Sequence, residues 1–224
     1  MPIPIPTRIF HITAIANLAS IFQKGGLTCK LALDSSQQPY SNIAYQSVQA
    51  RRATREVVVG PGGVVHDYVP FYFAPRSPML RTIEGGNVQG CPWRQNDIVH
   101  LESTVQSVVN AELPFVFFDR NASLQYSRAS ANIADLETAV AWDLLQEAPA
   151  LDGFCKYWNS ISGHPRYSER MEYRQAEFLV HRWFPLEHVT KIGVANAQAQ
   201  ASVQQLLQTY GIKMQVAVKP EWYF

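Results

Sequence analysis

Arg174-Gln175-Ala176-Glu177-Phe178-Leu179-Val180 is the stretch whose reading decides the fold. Phe178 and Val180 fall on one side and Leu179 on the other, the alternation that a β-strand imposes. Glu177 stands inside this apolar run. A carboxylate among Ala, Phe, Leu and Val is costly to bury unless something pairs with it. It is therefore either a strand-edge glutamate facing water or a group held in place for chemistry, and the rest of the chain decides between the two.

Working outward, Gly153 to Arg170 reads as a loop rich in aromatic and charged residues that runs straight into this strand. Phe115-Val116-Phe117-Phe118, Ile98-Val99-His100-Leu101 and the aromatic Val69-Pro70-Phe71-Tyr72-Phe73-Ala74 read as further strands. Lys191 to Val194 and Met214 to Val218 read the same way. Arg8 to Ile12 alternates as a first strand. Thr13 stands where a helix N-cap belongs, ahead of Ile15, Leu18, Ile21 and Phe22, with Gly25-Gly26 as the stop. Ala134 to Gln146 has the spacing of an amphipathic helix, and Asn196 caps another that closes at Gly211. Residues 34–47 are polar and turn-rich. The basic cluster Arg51-Arg52-Ala53-Thr54-Arg55 follows, either a solvated face or a phosphate grip. Gly60-Pro61-Gly62-Gly63 lacks the flanking residues of a phosphate loop and reads as a hairpin turn. Many strands, few helices and long loops predict an α+β protein on a twisted, mainly antiparallel sheet. The irregular alternation, with no G-x-G-x-x-G opening a helix, argues against a doubly wound fold.

Composition narrows the function classes. The 224 residues, 47% hydrophobic and 17% charged, predict one domain spanning 1–224 with a large core. A net charge of +1 gives no global pull toward nucleic acid, so such a partner must be held by a local patch. Cys29, Cys91 and Cys155 are odd in number and widely spaced, which supports neither a disulfide framework nor a zinc site and fits a reducing cytoplasm. No signal peptide and no membrane span is expected.

Five segments in order carry a resemblance: Phe10-His11-Ile12-Thr13 with its helix; Gln49-Ala50-Arg51-Arg52; His66 to Leu80; Phe117-Phe118-Asp119-Arg120-Asn121-Ala122; and Arg174 to Val180. Together the chain, from about residue 8 to its end, resembles the DarT family. These are bacterial toxins that ADP-ribosylate thymidine in single-stranded DNA and are encoded beside a macrodomain antitoxin, DarG. The resemblance implies an ADP-ribosyltransferase fold, a split β-sheet flanked by helices, with NAD as donor substrate in the cleft and no metal. It implies that His11, Ile12 and Thr13 hold the nicotinamide end of NAD and that Ser20 and Thr28 make further NAD contacts. It also implies that residues 34–53 cover NAD, that Arg51 and Glu177 are catalytic, and that Asp119 to about Glu177 present the target base. Single-stranded DNA and a DarG-like antitoxin are the implied partners.

Breaking the nicotinamide–ribose bond leaves an oxocarbenium-like sugar, and a glutamate accepting hydrogen bonds from the ribose hydroxyls suits that charge. An arginine is a poor general base because its pKa stays above about 12. Arg51 is thus expected first as an electrostatic group on the NAD pyrophosphate or the developing base anion, with Arg52 or Arg55 as possible sharers. Arg76, Arg81, Arg94, Arg166, Arg170 and Arg174 are candidates for DNA phosphates, and Tyr157, Trp158 and Tyr167 for stacking on bases. Each is equally readable as an ordinary surface arginine or core aromatic. Rival readings keep the chemistry with another acceptor (RNA, another DNA base or protein) or leave an inert NAD- or nucleic-acid-binding module. A metal-dependent nuclease lacks any cluster of ligands at the required spacing.

Overall fold

The computed structural model describes residues 2–36 and 39–224; positions 37 and 38 of the polar segment predicted at 34–47 lie outside the described residues. The first half of the chain runs β1 (Arg8–Ala14), α1 (Leu18–Lys24), β2 (Gly26–Thr28), α2 (Lys30–Ser35), α3 (Gln46–Thr54), β3 (Tyr68–Tyr72), α4 (Pro78–Glu84), β4 (Ile98–Thr104) and α5 (Val105–Asn110). Next come β5 (Phe115–Phe118), β6 (Ala129–Ser130), α6 (Leu136–Ala139), α7 (Trp142–Leu145), β7 (Ala150–Leu151) and β8 (Phe154–Cys155). The chain ends with α8 (Arg170–Tyr173), β9 (Glu177–His181), β10 (Trp183–Pro185), β11 (Lys191–Val194), α9 (Ala197–Thr209) and β12 (Val216–Val218).

Eight strands form one sheet in the order β12-β11-β4-β1-β3-β9-β5-β6. Every pair in it is antiparallel except β11 with β12. The sheet is split at its centre. β1 pairs with β4 along its whole length, from Arg8 opposite Thr104 to Ala14 opposite Ile98, but meets β3 only at Phe10 opposite Tyr72. β3 pairs continuously with β9, from Tyr68 opposite His181 to Tyr72 opposite Glu177. Pro70 explains how a proline survives in a central strand. It has no N–H to give, and it sits on the side of β3 where the ladder to β1 is open. Its carbonyl is taken up instead by His11 Nδ1 at 2.8 Å.

The larger core cluster packs Phe71, Phe73, Phe178, Val180 and Phe184 with α1 and α9 residues such as Leu18 and Val203. A second cluster gathers Phe10, Ile12 and Ala14 with Leu80, Ile83 and Trp222. A third joins Leu179 to Val57, Tyr68, Val116 and Phe118. The alternation expected around Glu177 is therefore observed, with Phe178 and Val180 in one core and Leu179 in another.

Several local expectations change. The predicted helix over 134–146 is two single turns, α6 and α7, broken at Val140, whose ψ of 132° is extended. Trp142 fills the break, its indole N–H donating to the Leu136 carbonyl at 3.1 Å. Thr13 is the penultimate residue of β1 and not a helix cap; α1 begins only at Leu18, after a single 3-10 turn. The segment 34–47 is not all loop, since α2 reaches Ser35 and α3 starts at Gln46. Gly25 does stop α1, with a φ of +78°, and Gly26 lets β2 approach β10: a Cβ there would lie 2.4 Å from the Phe184 carbonyl oxygen.

Candidate active site

The split in the sheet opens a cleft of about 410 Å³, within the size range of small-molecule sites. One wall is β1 with α1 and β2, and the other is β3 and β9. The segment from Tyr40 through α3 covers it, and residues of the 121–124 turn close one end. His11, Ile12, Thr13, Ser20, Thr28, Arg51 and Glu177 all line this one cavity. Sequence reasoning had grouped these residues across 166 positions, and the fold brings them together.

Glu177 is 1% exposed at the start of β9. Both of its carboxylate oxygens lie 2.9 Å from Arg52 Nη1, and Oε1 also accepts the Ala122 backbone N–H at 3.0 Å. The ion pair and the amide satisfy a charge that the apolar surroundings would otherwise penalise. Oε2 keeps lone pairs for a donor in the cleft.

The arginine that meets Glu177 is thus Arg52, and Arg51 is exposed at the cleft mouth. Helix phase is the cause. Successive residues on an α-helix point about 100° apart, so adjacent arginines cannot share a target. On α3, Gln49 and Arg52 lie on one face: Gln49 Oε1 accepts from His66 Nε2 at 2.9 Å while Arg52 reaches Glu177. Arg55 lies one turn beyond Arg51 and grips the carbonyls of Gln125 and Ser127 at 3.2 and 3.3 Å, holding the turn whose amide meets Glu177.

His11 donates from Nδ1 to the Pro70 carbonyl, because a carbonyl can only accept. Burial lowers its pKa to about 4, outweighing that bond, so the ring is neutral at physiological pH and Nε2 is a hydrogen-bond acceptor. Burial also lowers the pKa of His66, with the Arg52 charge adding to it. Tyr72, opposite Glu177 in the β3–β9 register and on the cleft wall, has its phenol pushed well up by burial and then by the Glu177 charge. Tyr72 is neutral and adds no charge to the site.

Ile12 points with Phe10 and Ala14 into the second core cluster, so its side chain is structural. None of the nine DNA candidates lines the cleft. Three of them are corrected by burial. Trp158 is 4% exposed, packed between the Arg174 guanidinium and the Phe224 ring, and cannot stack on a base. Arg174, at 1%, and Arg170, at 4%, are inside the protein, Arg170 lying 3.7 Å over Tyr167 and paired with Glu147. Arg166 and the Tyr167 hydroxyl are also bound to Glu147. Arg76 spends its guanidinium on the Tyr223 and Lys156 carbonyls. Arg81, Arg94 and Tyr157 are exposed, as is Arg166 despite its ion pairs.

Sequence reasoning missed Asn17, Asn121 and Gln175. Asn17 bonds Thr13 and Ser41, while Asn121 Nδ2 donates to Gln175 Oε1 at 3.3 Å beside Glu177. All three line the cleft. The sequence signal was there: Asn17 stands four residues after Thr13 at the strand-to-helix corner, and Asn121 and Gln175 lie within segments already singled out. Among the described residues no three His, Cys, Asp or Glu side chains group to hold a metal ion.

Comparison with known proteins completes the picture. Residues 10–224 match the family model described as "ssDNA thymidine ADP-ribosyltransferase, DarT". A DNA ADP-ribosyl transferase of Thermus aquaticus is 40% identical over 227 residues, covering 99% of this chain and 90% of that protein. The structure of Thermus sp. 2.9 DarT in complex with ADP-ribosylated ssDNA superposes with a TM-score of 0.86 at 35% identity, covering 100% of this chain and 99% of the other. The NAD+ complex of the same Thermus protein superposes with a TM-score of 0.81 at 34% identity, with 99% of each chain covered.

Proposed function

The chain belongs to the DarT family of single-stranded-DNA thymidine ADP-ribosyltransferases, and on that premise we propose how its own residues carry out the transfer of ADP-ribose from NAD to thymidine. The observation that carries the reading is Glu177, paired with Arg52 and buried at the edge of a cleft that also holds His11 and Thr13.

NAD lies in the cleft with its nicotinamide end at β1. His11 Nε2 accepts from a ribose hydroxyl or the carboxamide N–H, and the Thr13 hydroxyl bonds the same end. Ser20 and Thr28 line the cavity farther along. Glu177 accepts from the ribose hydroxyls through Oε2. As the C1′–N1 bond breaks, nicotinamide leaves with the electron pair, and the carboxylate stabilises the positive charge on the sugar. A ring nitrogen of thymine attacks C1′, and its proton passes to solvent water. Arg52 fixes Glu177 in place. Arg51, exposed at the cleft mouth, acts as an electrostatic group on the NAD pyrophosphate or the developing base anion.

The acceptor base enters beside the 121–124 turn and Gln175. The DNA strand continues over Arg81, Arg94 and Tyr157, three exposed members of the expected DNA set. Residues 1–224 act as one catalytic domain that needs no metal. A macrodomain antitoxin of the DarG kind is the expected partner, with the chain as the toxin of the pair, as the family resemblance implies. Cys29, Cys91 and Cys155 are free thiols, in keeping with a cytoplasmic setting, and among the described residues no helix is long and apolar enough to cross a membrane. Incubation with NAD and a thymidine-containing single strand should add the mass of one ADP-ribosyl group to the oligonucleotide. Mass added to a protein or an RNA, and not to the oligonucleotide, would favour the rival acceptors.

A further inference from the structure

Residues 39–45 form no helix or strand, yet Tyr40 to Tyr45 all line the cleft. A segment without backbone ladders must be held by its side chains or by its neighbours. Ile43 is one anchor, 7% exposed in the core cluster of Phe10 and Ile12. Tyr40 is a second, its ring 5.0 Å from the Lys30 ammonium and its hydroxyl donating to Asp34. A further anchor is a single amide. Asn17 Oδ1 accepts the Ser41 N–H at 2.7 Å, and Asn17 Nδ2 donates to the Ser41 carbonyl at 3.0 Å and to Thr13 Oγ1 at 3.0 Å. Asn17 therefore stands in for a neighbouring strand, satisfying both backbone groups of Ser41 at once.

We propose that Asn17 is a positioning residue that latches residues 39–45 over the cleft and orients Thr13 through the same side chain. The proposal rests on the reading of the cleft as the NAD site. Because Thr13 Oγ1 accepts from Asn17, its own O–H is left to donate. The latch thus sets the polarity of Thr13 as a donor toward the nicotinamide end, and it presents the wall formed by residues 40–45 before NAD arrives. Binding then has less chain to order, which favours affinity over turnover. An aspartate cannot replace the amide. It keeps an acceptor for the Ser41 N–H, but it loses both donors and sets its charge against the Ser41 carbonyl.

Amide hydrogen exchange and steady-state kinetics on Asn17→Ala and Asn17→Asp, each with its melting temperature, test this. In the free protein the Ser41 amide should exchange slowly, and in Asn17→Ala at least about tenfold faster, with β1 and β9 as protected as in the parent. KM for NAD should rise about tenfold, the scale of losing one or two hydrogen bonds of ordinary net strength, with kcat little changed. Asn17→Asp should show partial Ser41 protection and a raised KM. Unchanged exchange at Ser41 would overturn the latch, and faster exchange with unchanged KM would overturn its role in NAD binding. A general loss of protection with a lowered melting temperature would make Asn17 merely structural. Should the parent protein fail to use NAD at all, the reading of the cleft falls, while the Ser41 exchange result still reports on the latch.

Discussion

Arg52 Nη1 lies 2.9 Å from both carboxylate oxygens of Glu177, across 125 positions of sequence, and both side chains are buried. The pair joins the helix that covers the cleft to a strand of its wall. It also separates the roles of two adjacent arginines, one buried in an ion pair and the other exposed at the cleft mouth.

Removing one partner of a buried pair strands the other charge, at about 3–5 kcal/mol. Arg52→Ala should therefore lower the unfolding free energy by roughly 3 kcal/mol and abolish transfer. Arg51→Ala, at an exposed position, should stay within about 0.5 kcal/mol of the parent in stability while raising KM for NAD. Arg51→Lys should recover only part of the lost affinity, because an ammonium lacks the planar fork. Chemical denaturation beside initial rates checks the pair. An Arg52→Ala protein as stable and active as the parent would contradict the assignment.

Glu177→Gln preserves the shape and leaves an oxygen for Arg52 or Ala122, but removes the charge. Since that charge matters most when the sugar becomes cationic, kcat should fall by about 10²–10³-fold or more, with NAD affinity nearly unchanged. Isothermal titration with NAD together with turnover separates the two quantities. Loss of NAD binding with the fold intact would place Glu177 in ground-state binding instead.

His100 is fully buried, donates from Nε2 to the Pro75 carbonyl at 2.9 Å, and has its pKa lowered by burial from 6.5 to about 4. With the folded pKa below the unfolded one, the unfolded chain binds more protons, and stability falls as pH drops from about 6.5 toward 4. The full loss is on the order of 3 kcal/mol, with partly exposed His11 acting in the same direction. Melting temperatures across that window should decline in the parent and less steeply in His100→Gln, which keeps an N–H for Pro75. Identical slopes would show that His100 does not titrate on unfolding.

Glu177 was legible because a charge inside an apolar strand costs too much to be accidental, and β1 with its corner was legible from alternation. Arg52 was not, because a run of arginines does not reveal helix phase; that depends on which face of α3 packs inward, a tertiary fact. Trp158 and Arg174 were misread for a related reason. Arginine over an aromatic ring has the same sequence signature in a nucleic-acid groove and in a core, and only burial tells them apart. Thr13 looked like a cap because it precedes a helical pattern, whereas β1 continues through it and its hydroxyl serves Asn17 instead. The single turns α6 and α7 defeated periodicity because Trp142 folds back onto Leu136.

An acceptor nitrogen on the pairing edge of thymine must be free, and opening a duplex costs a few kcal/mol that a single strand does not incur. With a net charge of only +1, this chain has little means to grip and deform duplex DNA. The most direct measurement is mass spectrometry of one thymidine-containing oligonucleotide incubated with the protein and NAD, free, annealed to its complement, and with every thymine replaced by cytosine. The account predicts one ADP-ribosyl group on the free strand, strongly reduced addition on the duplex and none on the cytosine strand. Equal addition to duplex and single strand, or undiminished addition to the cytosine strand, would contradict it.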